Sequence, residues 1–164
     1  MFKIGDYVVH SGHGVCSIID KYTNPTFNKD FYKLETIHNK MTIMMPLDKA
    51  DAFLRPVIEK NELLQIINAS VEISDEYPKD NKERKNEFQI LVTSNNINDT
   101  IKLLKCLYKL NDDKKKEKKT LGSFDTQFLQ QAERKLFNEI AISAKMTKEE
   151  AHMYLSERLK SNVI

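Results

Sequence analysis

The sequence predicts an α+β protein, an N-terminal β-domain followed by an all-α helical domain. Three observations carry this. The first fifty residues form short runs of β-favouring side chains broken by tight turns. From about Asp51 the apolar spacing changes to three and four residues. No glycine falls between Gly14 and Gly122, so long elements can run unbroken. The boundary is placed between residues 52 and 53, giving domains 1–52 and 53–164.

In chain order, Phe2-Lys3-Ile4 is expected to lead through Gly5-Asp6 into the strand Tyr7-Val8-Val9-His10. Ser11-Gly12-His13-Gly14 reads as a turn, because two close glycines supply backbone angles other residues avoid. Val15 to Ile19 is the next strand, and polar connections follow at Thr23–Thr26 and Asn28–Asp30. Phe31–Glu35 alternates, with Tyr32 and Leu34 on one face and Lys33 and Glu35 on the other. His38-Asn39-Lys40 turns the chain into Met41–Met45, which Pro46 ends. Short strands with tight turns predict a small, strongly bent barrel of Tudor or SH3 type.

The helical half opens with Leu54, Val57 and Ile58, then Leu63, Leu64, Ile66 and Ile67. Phe88, Leu91 and Val92 mark a helix ending near Ser94-Asn95-Asn96. Ile101, Leu104, Leu107 and Tyr108 mark the next, which is expected to end in a lysine-rich loop. Phe124, Phe128, Leu129, Ala132, Leu136, Phe137 and Ile140 form a long apolar stripe. Thr147-Lys148-Glu149-Glu150 is a capping box, followed by Ala151, Tyr154, Leu155 and Leu159 on the buried side of a last helix.

The bulk numbers exclude several classes. In 164 residues, 40% are hydrophobic and 30% charged, with a formal net charge of +2, which suits a globular protein. No apolar run approaches the roughly 20 residues needed to span a bilayer. The opening Met1–Asp6 lacks a basic segment leading into an apolar one, so no signal peptide is expected. Cys16 and Cys106 form neither a disulfide framework nor a metal spacing, and a reducing cytoplasm is the expected compartment. Between Lys102 and Lys119, eight lysines face three acids, a local +5. Charge alone does not separate a solvated helix face from a nucleic-acid contact there.

Catalytic chemistry is not visible. His10, His13 and Cys16 fall at three-residue intervals, but no fourth metal ligand follows at suitable spacing. His38 and His152 are isolated. No nucleophile motif or phosphate loop is present, and Asp112-Asp113 and Glu149-Glu150 read as solvated pairs. Neither an enzyme nor a bound cofactor or metal is expected.

What remains is surface for partners. In Thr42-Ile43-Met44-Met45-Pro46 both faces of the strand are nearly apolar. Either the strand is covered on both sides within the protein, or its outer face or edge is covered by another protein. The second surface is basic: Lys79, Lys82, Arg84 and Lys85 open one helix, Lys114, Lys115, Lys116, Lys118 and Lys119 crowd a loop, and Arg134 and Lys135 lie on the helix beyond. Such groups near helix N-termini suit phosphate oxygens. Glu83, Glu87 and Glu117 interrupt them, which predicts weak, salt-sensitive binding.

These residues resemble a known family. Phe2-Lys3-Ile4-Gly5-Asp6-Tyr7-Val8-Val9-His10 with His13-Gly14-Val15 is similar to the opening of the CarD/CdnL proteins, shared with the polymerase-binding domain of transcription-repair coupling factors. The similarity continues through Tyr32-Lys33-Leu34, Thr42–Pro46 and Arg55-Pro56-Val57-Ile58. It resumes at Lys85, Phe88, Leu91, Ala132, Leu136, Glu139 and Ala141. The resemblance implies a Tudor-like domain docking on the β subunit of bacterial RNA polymerase through the segment matching Thr42, Ile43, Met44, Met45 and Pro46. It also implies a helical domain touching double-stranded promoter DNA at the upstream edge of the transcription bubble. A coupling factor would carry a helicase motor, so the free-standing regulator is the closer match.

Two departures stand out. The family commonly carries a tryptophan wedge shortly before the basic stretch; this sequence has none, and the matching position falls near Asp80, just after Tyr77-Pro78. Met44 stands where some members have arginine. The expected protein is therefore a monomeric, cytoplasmic transcription regulator, associated with the nucleoid through polymerase. It would use residues 42–46 for polymerase and Lys79, Lys82, Arg84, Lys85, Lys118, Lys119 and Arg134 for DNA, modulating open-complex stability without sequence-specific contact. The alternative is a protein–protein adaptor without direct DNA contact.

Overall fold

The computed structural model describes residues 1–160; residues 161–164, the end of the expected helical half, lie outside the described residues. The chain folds as α+β, with a five-stranded antiparallel sheet followed by helices. The strands are β1 (Tyr7–His10), β2 (Gly14–Asn24), β3 (Lys29–Thr36), β4 (Thr42–Pro46) and β5 (Leu54–Pro56). Their order in the sheet is β4-β3-β2-β1-β5.

The expected barrel does not close. Within the described residues β4 pairs only with β3 and β5 only with β1, so both ends of the sheet remain open edges. A bulge between Ile18 and Asp20 bends the 11-residue β2, but the three-residue β5 is too short to reach around to β4. Ahead of β1 the expected turn forms at Ile4-Gly5, closed by the Asp6 amide donating to the Lys3 carbonyl at 3.0 Å and the Lys3 amide donating to Asp6 Oδ2 at 2.8 Å. One element boundary differs from expectation. Leu54, expected to open the helical half, lies in β5, where backbone pairing with His10 outweighs its helix-like spacing from Ile58.

Gly14 is needed where it stands. Its φ of +74° belongs to the left-handed region, and a Cβ there would meet Lys135 Cγ at 3.2 Å. This is the point at which the β1–β2 turn meets the helical half.

The helices are the single turn α1 (Ala50–Phe53), α2 (Lys60–Asn68), α3 (Asn81–Thr93), α4 (Ile97–Lys116), α5 (Ser123–Ala144) and α6 (Lys148–Lys160). Side chains cap four of them. Glu59 accepts from the Asn61 amide, Asp80 from Glu83, Asn96 from Asn98 and Thr147 from Glu150, each meeting an amide the helix leaves free. α4 runs through Lys114–Lys116, so those lysines form its last turn rather than a loop. They lie at the negative end of the helix dipole, which favours cations.

Two apolar cores result. Val8, Cys16, Ile18, Tyr32, Leu34, Met45, Ala50 and Leu54 form one beneath the sheet. The other gathers Leu63 and Ile67, Phe88 and Leu91, Ile101, Leu104 and Leu107, Phe128, Leu136 and Ile140, with Leu155 of α6. Between them Arg55 reaches Glu139 and Lys135 reaches the Ser11 carbonyl, beside Val9 and Val15, which are buried but belong to neither core. No helix among the described residues is long and apolar enough to cross a membrane.

Candidate functional site: a sheet edge and a basic helix end

β4 is presented by a hairpin that its own side chains lock. Thr36 Oγ1 accepts from the Met41 amide at 2.9 Å and contacts Asn39 Oδ1 at 2.5 Å, while Lys40 takes a left-handed φ of 59°. Alternation then sorts the strand. Ile43 and Met45 turn toward the core, Met45 being 6% exposed, and Met44 turns outward at 48%. Thr42 is exposed and Pro46 half-buried opposite Phe31. Both faces look apolar in sequence because one fills the core and the other joins an outer patch.

That patch is aromatic and was not anticipated. Tyr22 stacks on Phe31 with centroids 5.9 Å apart, Phe27 leans on Phe31 at 6.4 Å, and the Tyr22 hydroxyl donates to Met44 Sδ at 3.3 Å. Phe27 is 64% exposed. Tyr22 is paired with Phe31 across β2 and β3, a relationship that needs the register of β2 beyond its bulge.

The basic surface is thinner than the lysine count implies. Lys105 is buried and donates to the carbonyls of Ser70 and Ile73; burial pushes its ammonium below the ordinary lysine range. Lys135 is buried too, donating to Ser11 and Val92 at 2.9 Å and to Ser94 at 3.2 Å. Its pKa falls to about 8, chiefly through burial and then through Arg55. Lys102 pairs with Glu87, Lys109 with Asp75 and Lys119 with Glu117.

Arg84 is turned inward. It reaches Asp125 at 3.2 and 2.9 Å and Asn81 at 2.9 Å, and donates to the carbonyls of Pro78 and Lys79. Both members of the Arg84–Asp125 pair have side chains 8% exposed. The pair holds the start of α3 against the first turn of α5, where Asp125 meets the positive helix end.

Around this strut the structure gathers Lys79, Lys82, Lys85, Lys114 and Lys116. One groove of about 420 Å³ is lined by Lys82, Lys85, Lys114 and Phe124; its neighbour, about 450 Å³, by Tyr77, Lys79, Lys114 and Lys116 with Asp113 and Glu117. Lys118 and Lys119 are exposed just beyond α4 and line neither groove. Arg134 stands apart, ten residues along α5 from Phe124 and so about 15 Å away by helical rise.

The aromatics of this surface divide. Tyr77 is half-buried, its hydroxyl donates to Asp113 Oδ2 at 2.5 Å, and Lys79 Nζ covers its ring at 4.1 Å. Burial and the Asp113 carboxylate push its pKa up to about 12. Phe124, expected within the buried stripe of α5, is instead 54% exposed, with Lys85 Nζ 3.8 Å from its ring centre. It lies in the first helical turn, before the stripe meets the core at Phe128.

Comparison with known proteins follows the same two parts. Residues 2–58 match the family model of the CarD-like/TRCF RID domain, and residues 62–156 match that of the CarD C-terminal domain. No curated protein matches the chain.

Proposed function

The chain belongs to the CarD family, and from that membership we propose that it docks on the RNA polymerase β subunit through the free edge and outer face of β4 while its helical half meets upstream promoter duplex. Membership supports an RNA polymerase-interacting transcription regulator in general terms; the residue assignments rest on the geometry. One observation carries the docking half. The edge of β4 is unpaired among the described residues, and exposed Met44 beside it is continuous with Phe27, Phe31 and Tyr22. An unpaired edge offers main-chain hydrogen bonds to a partner strand, and Met and aromatic side chains supply adaptable apolar contact. Thr42, Ile43, Met45 and Pro46 position that edge.

For the duplex, Lys79, Lys82, Lys85 and the Lys114–Lys116 turn contact phosphates, with Lys118 and Lys119 extending the tract. Arg84 acts as the strut that sets their spacing. Phe124 is the aromatic available to press on a base step in place of a tryptophan, since the Tyr77 ring and hydroxyl are both engaged. Contacts made better to opened than to closed promoter shift that equilibrium, and roughly 1.4 kcal/mol changes the ratio tenfold.

The division into a polymerase-facing unit and a DNA-facing unit is part of this proposal, the separation of the two apolar cores being its support. The test is recovery of a polymerase β-lobe fragment by wild-type protein and by Met44→Glu. Retention falling at least tenfold for the variant supports the reading; equal retention overturns it.

A further inference from the structure

A second cleft lies where the β1–β2 and β3–β4 turns face α5, away from the grooves around Phe124. It encloses about 260 Å³ and is lined by His13, His38, Asn39, Gln131, Arg134 and Lys135, among others. No Asp or Glu is among its lining residues. Arg134 has no ion pair or side-chain hydrogen bond within the described residues, although it is half-buried. His38 Nδ1 is buried and has no hydrogen-bond partner. Lys135 gives its three protons to carbonyls, so it brings charge rather than a free donor.

We propose that this cleft binds a phosphoryl anion, gripped by the Arg134 guanidinium and by the imidazole edges of His13 and His38. The charge distribution argues for it. Arg134 and Lys135 line the cavity, Lys148 also acts on His38 and Lys135 on His10, and these three neighbours are cationic. Cations that crowd one cavity without an acidic partner repel one another, and an anion with several acceptor oxygens relieves that repulsion. A guanidinium fork matches phosphoryl oxygens in two-point geometry, and imidazoles add donors around it. The cleft is separate from the grooves of the proposed duplex surface, because Arg134 lies about 15 Å along α5 from Phe124.

The phosphoryl group could come from a free anion or from a duplex backbone, and one experiment separates them. The four histidine ring signals are followed by NMR during titration with sodium pyrophosphate, with sodium chloride at matched ionic strength, and with a short DNA duplex. Saturable movement of the His13 and His38 signals with pyrophosphate but not chloride is expected. His152, packed on Phe137, should stay in place. Arg134→Gln should raise the apparent dissociation constant at least tenfold, whereas Lys82→Gln with Lys85→Gln should leave the pyrophosphate response unchanged. Movement with duplex alone, abolished by Arg134→Gln, also supports the site and names backbone phosphate as its source. No movement with either phosphoryl source, equal movement with chloride, or an Arg134→Gln titration matching wild type overturns it.

Discussion

Arg55 closes on Glu139 through two hydrogen bonds of 2.7 Å each, joining the last strand of the sheet to the middle of α5. The Glu139 carboxylate also accepts the Ile58 amide at 3.0 Å, and its side chain is 2% exposed. Arg55 Nε donates to the Asn95 carbonyl at 2.8 Å, and Ser143 donates to the Ile58 carbonyl at 2.6 Å. One arginine therefore ties β5 to both the α3–α4 turn and α5, which sets where the β4 edge lies relative to the lysines.

Removing one partner of this pair strands a buried charge. Arg55→Ala should lower unfolding stability by about 3–5 kcal/mol. Arg55→Leu combined with Glu139→Leu should recover part of that loss, because no unpaired carboxylate remains. Chemical denaturation of both variants checks it; a double variant no more stable than Arg55→Ala would show that another interaction dominates the seam.

Met44→Glu is expected to separate binding from folding. With Met44 48% exposed, stability should stay within about 0.5 kcal/mol of wild type while polymerase retention falls. Phe31→Ala, beneath Tyr22 and Phe27, should weaken retention in the same direction. Thermal unfolding and β-lobe capture on the same preparations give both readings.

The neighbours Arg84 and Lys85 should behave oppositely. Arg84→Ala leaves Asp125 buried and uncompensated, so a loss of about 3–5 kcal/mol in stability is expected. Lys82, Lys85 and Lys114 replaced together by Gln should leave stability nearly unchanged. The salt dependence of promoter-complex affinity should then flatten by up to about three on a log–log plot, each phosphate contact contributing about 0.9. An unchanged slope would favour an adaptor without DNA contact.

Acid should loosen the sheet–helix junction through His10. Its Nδ1 accepts the Gly12 amide at 3.0 Å, an arrangement that requires the neutral ring, and its pKa falls to about 4 through burial and then His13 and Lys135. Above pH 6.5 the ring is neutral folded or unfolded and contributes no pH dependence. Between 6.5 and about 4 the unfolded chain takes up a proton that the fold excludes, so stability falls as pH falls, by at most about 1.4 kcal/mol per unit. Below about 4 this contribution levels off. The unfolding midpoint of wild type should drop over that window more than that of His10→Asn, and parallel curves would rule His10 out as the cause.

Much of the fold was legible because it is local. Strand alternation at Tyr32 and Leu34 and helix spacing at Ile101, Leu104 and Leu107 both follow from burying one face of a regular element. The capping bond from Glu150 to Thr147 was legible for the same reason: the free amide and its acceptor are three residues apart. Lys135 and Glu139 offered a readable signal that was missed. Both sit among Ala132, Leu136 and Ile140 on the buried side of α5, where an unpaired charge is too costly to persist, so partners had to exist. Their roles were hidden because those partners, Ser11 and Arg55, lie over eighty positions away.

By itself, then, the sequence determined the class of fold, a strand that Pro46 ends, and the lysines that open α3, all of which depend on periodicity and near neighbours. Tertiary structure decided which charges remain available. Arg84, Lys105 and Lys135 turn inward, Phe124 stays out, and Arg134 joins His13 and His38 rather than the lysines of α3. The physical reason is that a charged side chain goes where its partners are, and those partners come together only when distant segments pack.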